Sequence, residues 1–267
     1  MKFSIIVVSL NAGEELINTV DSILEQTYSD IEIIVKDGFS KDGSIEKLPV
    51  NESIKVYQEK DNGIYDAMNQ AIAYISGDYV LFLNCGDTFY SKDVLKEISE
   101  YIDDNVDNCI YYGDCYTVNR NAFVRYPDMF DDYICCTKTL CHQATIYKTE
   151  LLKNKGFDTK YKIVADFHYY VRAYVNGIKL IHIPVVIANY LGGGASETYE
   201  NRKKAMKDAD EILREYLGIK RYKAVQRKSF LSGKKIKKIF AGSKRFYKLY
   251  SKFAGFVYRM KDKLNGR

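Results

Sequence analysis

The chain contains no tryptophan, no C-x-x-C pair, no internal repeat and no low-complexity linker. Nor does it contain an apolar run approaching the ~20 residues that cross a bilayer. Each absence removes a class of protein. Without a long apolar run, no spanning helix is expected. Without paired cysteines, the thiols at 85, 109, 115, 135, 136 and 141 are expected to be free, in a reducing compartment. Cys135, Cys136, Cys141 and His142 lie near one another in sequence, but their spacing fits no common zinc pattern. The apolar run after Lys2 stops at Val8, too short for a signal peptide, so a cytoplasmic setting is expected. The 24 tyrosines suit either core packing or surfaces that stack on rings and hydrogen-bond polyols.

What is present is a length of 267 residues, ample for a substantial core, and a divided charge. From Ile219 to Arg267 there are 17 Lys/Arg against one acid, Asp262. With a total of +5, that leaves −11 on the first 218 residues. Ile236, Ile239, Phe240, Phe246, Tyr247, Tyr250, Phe253, Val257, Met260 and Leu264 recur there at helical steps among the cations. The pattern is that of a basic amphipathic helix, broken near Gly242 and Gly255. Such a tail is expected to lie on an anionic membrane surface; packing on the body or pairing as a homodimer are the other outcomes. The apolar stripe argues against nucleic acid.

The body reads as alternating strands and helices. Strands are predicted at 3–9, 31–37, 54–59 and 79–84, with helices at 14–26 and 66–75 between them. That alternation indicates a parallel, helix-covered α/β sheet, in which ligands bind at the carboxyl ends of the strands. Further strands are predicted near 109–113, 122–126, 143–148 and 179–190. Helices are predicted at 165–175 and 197–217, the latter capped by Gly218. The four leading strands end in Ser9 and Asn11, in Asp37 and Gly38, in the 60–69 segment with Gly63 and Asp66, and in Asn84 to Asp87. Carboxylates, amides and glycine turns repeated at four strand ends suit a nucleotide diphosphate better than four unrelated turns.

Several segments together resemble the family 2 glycosyltransferases with the GT-A fold. IIVVSLN is similar to their opening strand and IVKDGFSKDGS to their D-G-S-x-D-G-T loop. EKDNGIYDAMNQAIAYISGDYVLFLNCGD resembles the segment from the D-x-G-x-x-x-A-x-N helix to the metal motif. HQATIYKTELL and ADFHYYVRA resemble the stretch leading to the catalytic-base helix and that helix itself. The resemblance covers about residues 1–200. It implies a Rossmann-like mixed sheet covered by helices over 1–218, with a nucleotide-binding half at 1–90 and an acceptor half at 91–218, followed by the 219–267 tail.

It also implies roles. Ser9, Asn11 and Asp37 would meet the base and ribose of a nucleotide-sugar donor. Gly63, Asp66 and Asn84 would line the rest of the donor pocket. His142 and Gln143 would stand by the acceptor or the diphosphate. Asp166 would be the general base on a saccharide or lipid-linked acceptor, and the anomeric centre would invert. The family's metal motif, D-x-D or D-x-D-D, here reads Asn84-Cys85-Gly86-Asp87, so Mn2+ or Mg2+ would be held mainly by Asp87. UDP is the expected nucleotide and surface polysaccharide the expected product. The alternatives are a donor-binding protein whose chemistry has faded with its metal motif, or a membrane-tethered scaffold. His168 and His182 are expected to be structural, Arg172 to form a salt bridge, and the 190–196 stretch to be either a closing loop or a plain turn.

Overall fold

Every residue of the first strand, β1 (Phe3–Ser9), is buried, so the strand needs cover on both faces. The computed structural model, which describes residues 1–194 and 198–231, supplies it. Phe3, Ile5 and Val7 pack on one side with Leu16, Val20 and Ile23 of α1 (Glu14–Leu24). Ile6 and Val8 pack on the other. β2 (Ile31–Asp37) and β3 (Ile54–Gln58) extend the sheet in parallel, followed by α2 (Ile64–Ile72) and β4 (Tyr79–Phe82). The chain continues through β5 (Thr88–Phe89), α3 (Val94–Tyr101), β6 (Cys109–Thr117) and β7 (Ala122–Val124). Then come α4 (Asp132–Thr137), β8 (Thr145–Lys148), α5 (Thr149–Asn154), α6 (Ala165–Val175), β9 (Lys179–Tyr190) and α7 (Tyr199–Leu231).

The strand order is β3-β2-β1-β4-β8-β6-β9-β5, with β7 paired to β6. The leading strands run parallel, as the alternation predicts. The second half does not: β8 is antiparallel to both β4 and β6. This reversal positions the site. A strand that runs backwards through the sheet begins where its neighbours end, so the turn before β8 stands at the carboxyl end of β4. β5 likewise pairs antiparallel with the end of β9, Thr88 opposite Asn189, which brings Leu191 beside Asp87.

Some predicted boundaries shift, for local reasons. β5, α3, α4 and α5 are absent from the sequence reading; β5 has two residues and α4 six, too few to show a period. α2 starts at Ile64 rather than 66, because Gly63 makes the turn into it. Residues 142–144 form a 3-10 turn ahead of β8. The last helix breaks at Gly218 (φ 73) but continues, and Tyr222 and Val225 beyond it are buried while Arg221 pairs with Asp132 of α4. The chain just past Gly218 is therefore part of the packed body. The amphipathic pattern from Ile236 onward and Ser196 of the glycine loop lie outside the described residues. All six cysteines are free thiols, and among the described residues no helix is long and apolar enough to cross a membrane.

Buried charge is compensated. Glu32 takes hydrogen bonds from Ser4 Oγ, Ser76 and Lys55; burial alone would push its carboxyl up, but these bonds win and hold it well below the usual range. His182 on β9 lies between Asp114 (3.1 Å) and Asp128 (3.0 Å), beside a bulge in the β6–β9 pairing. Burial pulls its pKa down, and the two carboxylates more than offset that, leaving it raised above 6.5. A raised folded value means that the stabilisation is complete below the ordinary value and fades as pH rises through the folded one. His182→Gln is therefore expected to cost about 1–3 kcal/mol near pH 6 and less near pH 9. Thermal melts at both pH values check this, and an equal deficit at both would contradict it.

Candidate active site

The loops after β1 and β2 interlock. Asn11 adopts a left-handed backbone (φ 50), donates its N–H to Ser40 Oγ at 2.7 Å and accepts the Lys41 N–H on Oδ1 at 2.8 Å. The Gly13 N–H reaches Asp42 Oδ2, and the Gly38 N–H reaches the Ser9 carbonyl. Ser9 is buried, its hydroxyl without a hydrogen-bond partner. Asp37 is fully buried and accepts from the Ser40 N–H (2.8 Å), the Ser40 hydroxyl (2.5 Å) and Gln58 Nε2 (3.1 Å). Its carboxylate thus holds its own loop and the end of β3. Among large apolar residues at these strand ends, Leu10 is 60% exposed and Phe39 54% exposed with φ 65. The sequence reading passed over both. The signal was a large apolar residue inside a polar turn, the reverse of the usual pattern.

At the end of β3, Lys36 is fully buried and donates to the Glu59 carbonyl at 2.6 Å, with Asp61 Oδ2 at 3.5 Å. Asp61 Oδ1 accepts the Gly63 N–H, and Asp66 Oδ2 accepts the N–H and Nδ2 of Asn62. Gly63 has φ 123 and ψ 171, a region open essentially to glycine alone. Gly63 and Asp66 therefore shape one rigid turn at the start of α2.

Asp87 is 4% exposed. Gln143 Nε2 donates to its Oδ2 at 2.6 Å and the Leu191 N–H to its Oδ1 at 2.8 Å. Burial pushes its pKa up to about 6; the two hydrogen bonds oppose that, and the charge of Glu15 adds to it. Gly86 has φ 91, and a Cβ there would meet Leu191 Cδ2 at 3.0 Å and the Glu15 carboxyl at 3.4 Å. An aspartate at 86 would be strained by the backbone and crowded on two sides. Among the described residues, no group of three His, Cys, Asp or Glu is placed to hold a metal. Each oxygen of Asp87 accepts one internal hydrogen bond, and a carboxylate has further lone pairs, so Asp87 is the residue that would hold a cation at this strand end. The group at this strand end left without a partner is the buried Asn84 Oδ1.

The turn before β8 joins the two halves. Gln143 bonds Asp87, while His142, the preceding residue, stacks on Phe82 (centroids 5.0 Å apart) and packs against Phe157 (5.7 Å). Both ring nitrogens of His142 are buried without a hydrogen bond. Burial holds its pKa below the ordinary imidazole value, and the nearby Asp166 charge opposes this only in part. Asp166 stands in the first turn of α6, a favourable end for a carboxylate. Its Oδ1 lies 2.7 Å from the Tyr65 hydroxyl. Tyr147 and Tyr170 also feel its charge. Among the described residues Arg172 forms no salt bridge: it donates to the carbonyls of Lys155 and Gly156 and lies over Tyr169. It lines a cavity of about 390 Å3 behind Phe157 that contains neither Asp87 nor Asp166. His168 bonds Tyr216 in the core, as a structural histidine should.

The carboxyl of Asp87 is raised above its ordinary 3.8, so its contribution to stability falls as pH rises through about 6. The Gln143 bond favours the ionised form and limits that fall. Gln143→Ala is expected to cost about 1–3 kcal/mol near pH 8 and clearly less near pH 5. Melting curves at the two values check it; a larger deficit at the acid value would contradict it.

Comparison with known proteins agrees with this geometry. The description Glycosyl transferase family 2 matches residues 4–175. A PGL/p-HBAD biosynthesis glycosyltransferase of Mycobacterium bovis (strain BCG / Pasteur 1173P2) is 30% identical over 210 residues, which are 75% of this chain and 81% of that one. The structure of S. aureus TarS 1-349 in complex with UDP gives a TM-score of 0.60 at 23% identity, over 81% of this chain and 71% of that one. Of the longer TarS structure this chain covers 43%. The mannosyltransferase PcManGT from Pyrobaculum calidifontis, in complex with GDP-Man and Mn2+, gives 0.60 at 17% identity, over 98% and 87% of the two chains. The family match runs from the second residue of β1 to the last of α6, the span that holds Ser9 through Asp166. On that ground the chain belongs to glycosyl transferase family 2, a glycosyltransferase with the GT-A fold.

Proposed function

We propose that the protein transfers a sugar from a nucleotide-sugar donor to a hydroxyl of a saccharide or lipid-linked saccharide, with inversion, in the synthesis of a surface polysaccharide or glycolipid. What supports this is that consecutive residues of one turn address both carboxylates: Gln143 bonds Asp87 and His142 lies within the field of Asp166. The donor end and the acceptor end of one crevice are thereby joined. In this reading the interlocked Ser9, Asn11 and Asp37 loops and the exposed Phe39 receive the nucleoside. The Gly63–Asp66 turn and Asn84 Oδ1 meet the diphosphate and sugar. Neutral His142 offers a hydrogen bond to the acceptor. Asp166 takes the proton of the acceptor hydroxyl as its oxygen attacks the anomeric carbon, and the nucleoside diphosphate leaves from the opposite face. The nucleotide of this proposal is UDP, the one TarS holds; PcManGT, of equal fold similarity, holds GDP-Man.

Asp166→Asn is expected to lower kcat by about a hundredfold to ten-thousandfold while donor binding persists. The donor is first identified by thermal shift against UDP-GlcNAc, UDP-Glc, UDP-Gal, dTDP-Rha and GDP-Man, since a bound ligand raises Tm in proportion to its affinity. Release of the nucleoside diphosphate then reports turnover. Undiminished turnover by the variant would sink the base assignment. Donor binding without turnover by the unaltered chain would leave a nucleotide-sugar-binding protein.

We further propose that the basic, apolar-striped tail holds the enzyme at an anionic membrane surface, where a lipid-linked acceptor would be met. Each Lys or Arg near such a surface contributes about 1 kcal/mol. The full chain is expected to sediment with phosphatidylglycerol vesicles and a chain ending at Leu231 to stay in solution. Equal sedimentation of both would remove the tail from the membrane.

A further inference from the structure

Tyr65 stands in the first turn of α2, one residue before Asp66 and two after Gly63. Its hydroxyl crosses to α6, 2.7 Å from Asp166 Oδ1 and 3.1 Å from the Ile163 carbonyl. A hydroxyl has one proton to give. The carboxylate oxygen is nearer and charged, so it receives that proton. The Tyr65 ring cannot swing freely, because it packs against Phe157 (centroids 5.6 Å apart) at the margin of the core. Burial first, and then the Asp166 charge, raise its ionisation well above the ordinary phenol value, so it remains a donor across the neutral range. Among the described residues, no other side chain bonds the Asp166 carboxylate.

We infer that Tyr65 is the positioning residue of the base: by anchoring Asp166 Oδ1 it turns Oδ2 to the acceptor hydroxyl, and it ties the base to the turn that meets the donor diphosphate. This rests on the reading of Asp166 as general base. In the step it serves, the acceptor proton passes to Asp166 Oδ2 and the acceptor oxygen bonds to the anomeric carbon. The bond from that carbon to the diphosphate oxygen breaks, its electron pair leaving with the nucleoside diphosphate. Tyr65 keeps its proton throughout. The neighbouring Asp66 holds Asn62 while Tyr65 holds Asp166, so one helical turn fixes the donor loop and the base together.

The test compares Tyr65→Phe with the unaltered chain, using the donor chosen by the thermal-shift panel and release of its nucleoside diphosphate. Loss of a hydrogen bond to a charged group is expected to lower kcat about tenfold to a hundredfold, with the donor's Kd unchanged. The acid limb of the kcat/KM profile is expected to move to higher pH, a change that a merely structural tyrosine would not cause. Placing 2,3-difluorotyrosine at position 65 sharpens the donor without altering the packing, and is expected to move the acid limb the opposite way. This second variant serves even if Tyr65→Phe fails to fold. An unmoved acid limb in the fluorinated protein, with Asp166→Asn inactive, would overturn the role of Tyr65 and leave the base in place. An active Asp166→Asn would overturn the base reading itself.

Discussion

The hydrogen bond from Gln143 to Asp87 is the constraint on which the arrangement of the crevice depends. It joins two residues 56 positions apart and is made inside the protein, where a lost partner would leave a charge without solvent. Because β8 runs against its neighbours, the turn carrying Gln143 arrives at the end of β4, and His142 is carried with it to the wall of Phe82 and Phe157. The Leu191 amide closes the other side of the same carboxylate and fastens the start of the glycine stretch. Asp87 therefore acts as a junction for three separate segments: the β4 end, the turn before β8 and the end of β9.

This explains which parts of the site were legible in the sequence. FSIIVVS and IEIIVKD announce doubly buried strands by composition alone, and the turn residues after them announce the crevice. Asp166 could be found because its helix resembles a known segment. The direction of a carboxylate is another matter. Asp37 and Asp87 were given their roles by the family resemblance; the internal donors that the structure sets on both carboxylates are a separate matter. For Asp37 a donor is local, Ser40 three residues on, but for Asp87 nothing local records it, since its donors lie 56 and 104 residues away. Tyr65 was hidden for a different reason. One tyrosine among 24 carries no signal until its partner, 101 residues on, is placed beside it. Short elements such as β5 were invisible because two residues have no period.

Away from the strand ends, Glu32 and His182 are paired on every side, the mark of groups that hold the sheet together. In the crevice, Asn84 Oδ1 and both nitrogens of His142 are buried without partners. A fold tolerates such orphans poorly unless something else completes them. Asn84 Oδ1 and His142 thus stand ready for a ligand that supplies the missing bonds, although His168 Nδ1 in the core is buried without a hydrogen bond as well.

Position 86 also bears on how this lineage can change. Its backbone turns the way a glycine turns, and the space beside it is filled by Leu191 and Glu15. A single mutation that returned the family's usual acid there would meet both neighbours before it could meet any ligand. An acid at this position would strain the backbone and displace the side chains of Leu191 and Glu15, so the turn as built is one for glycine.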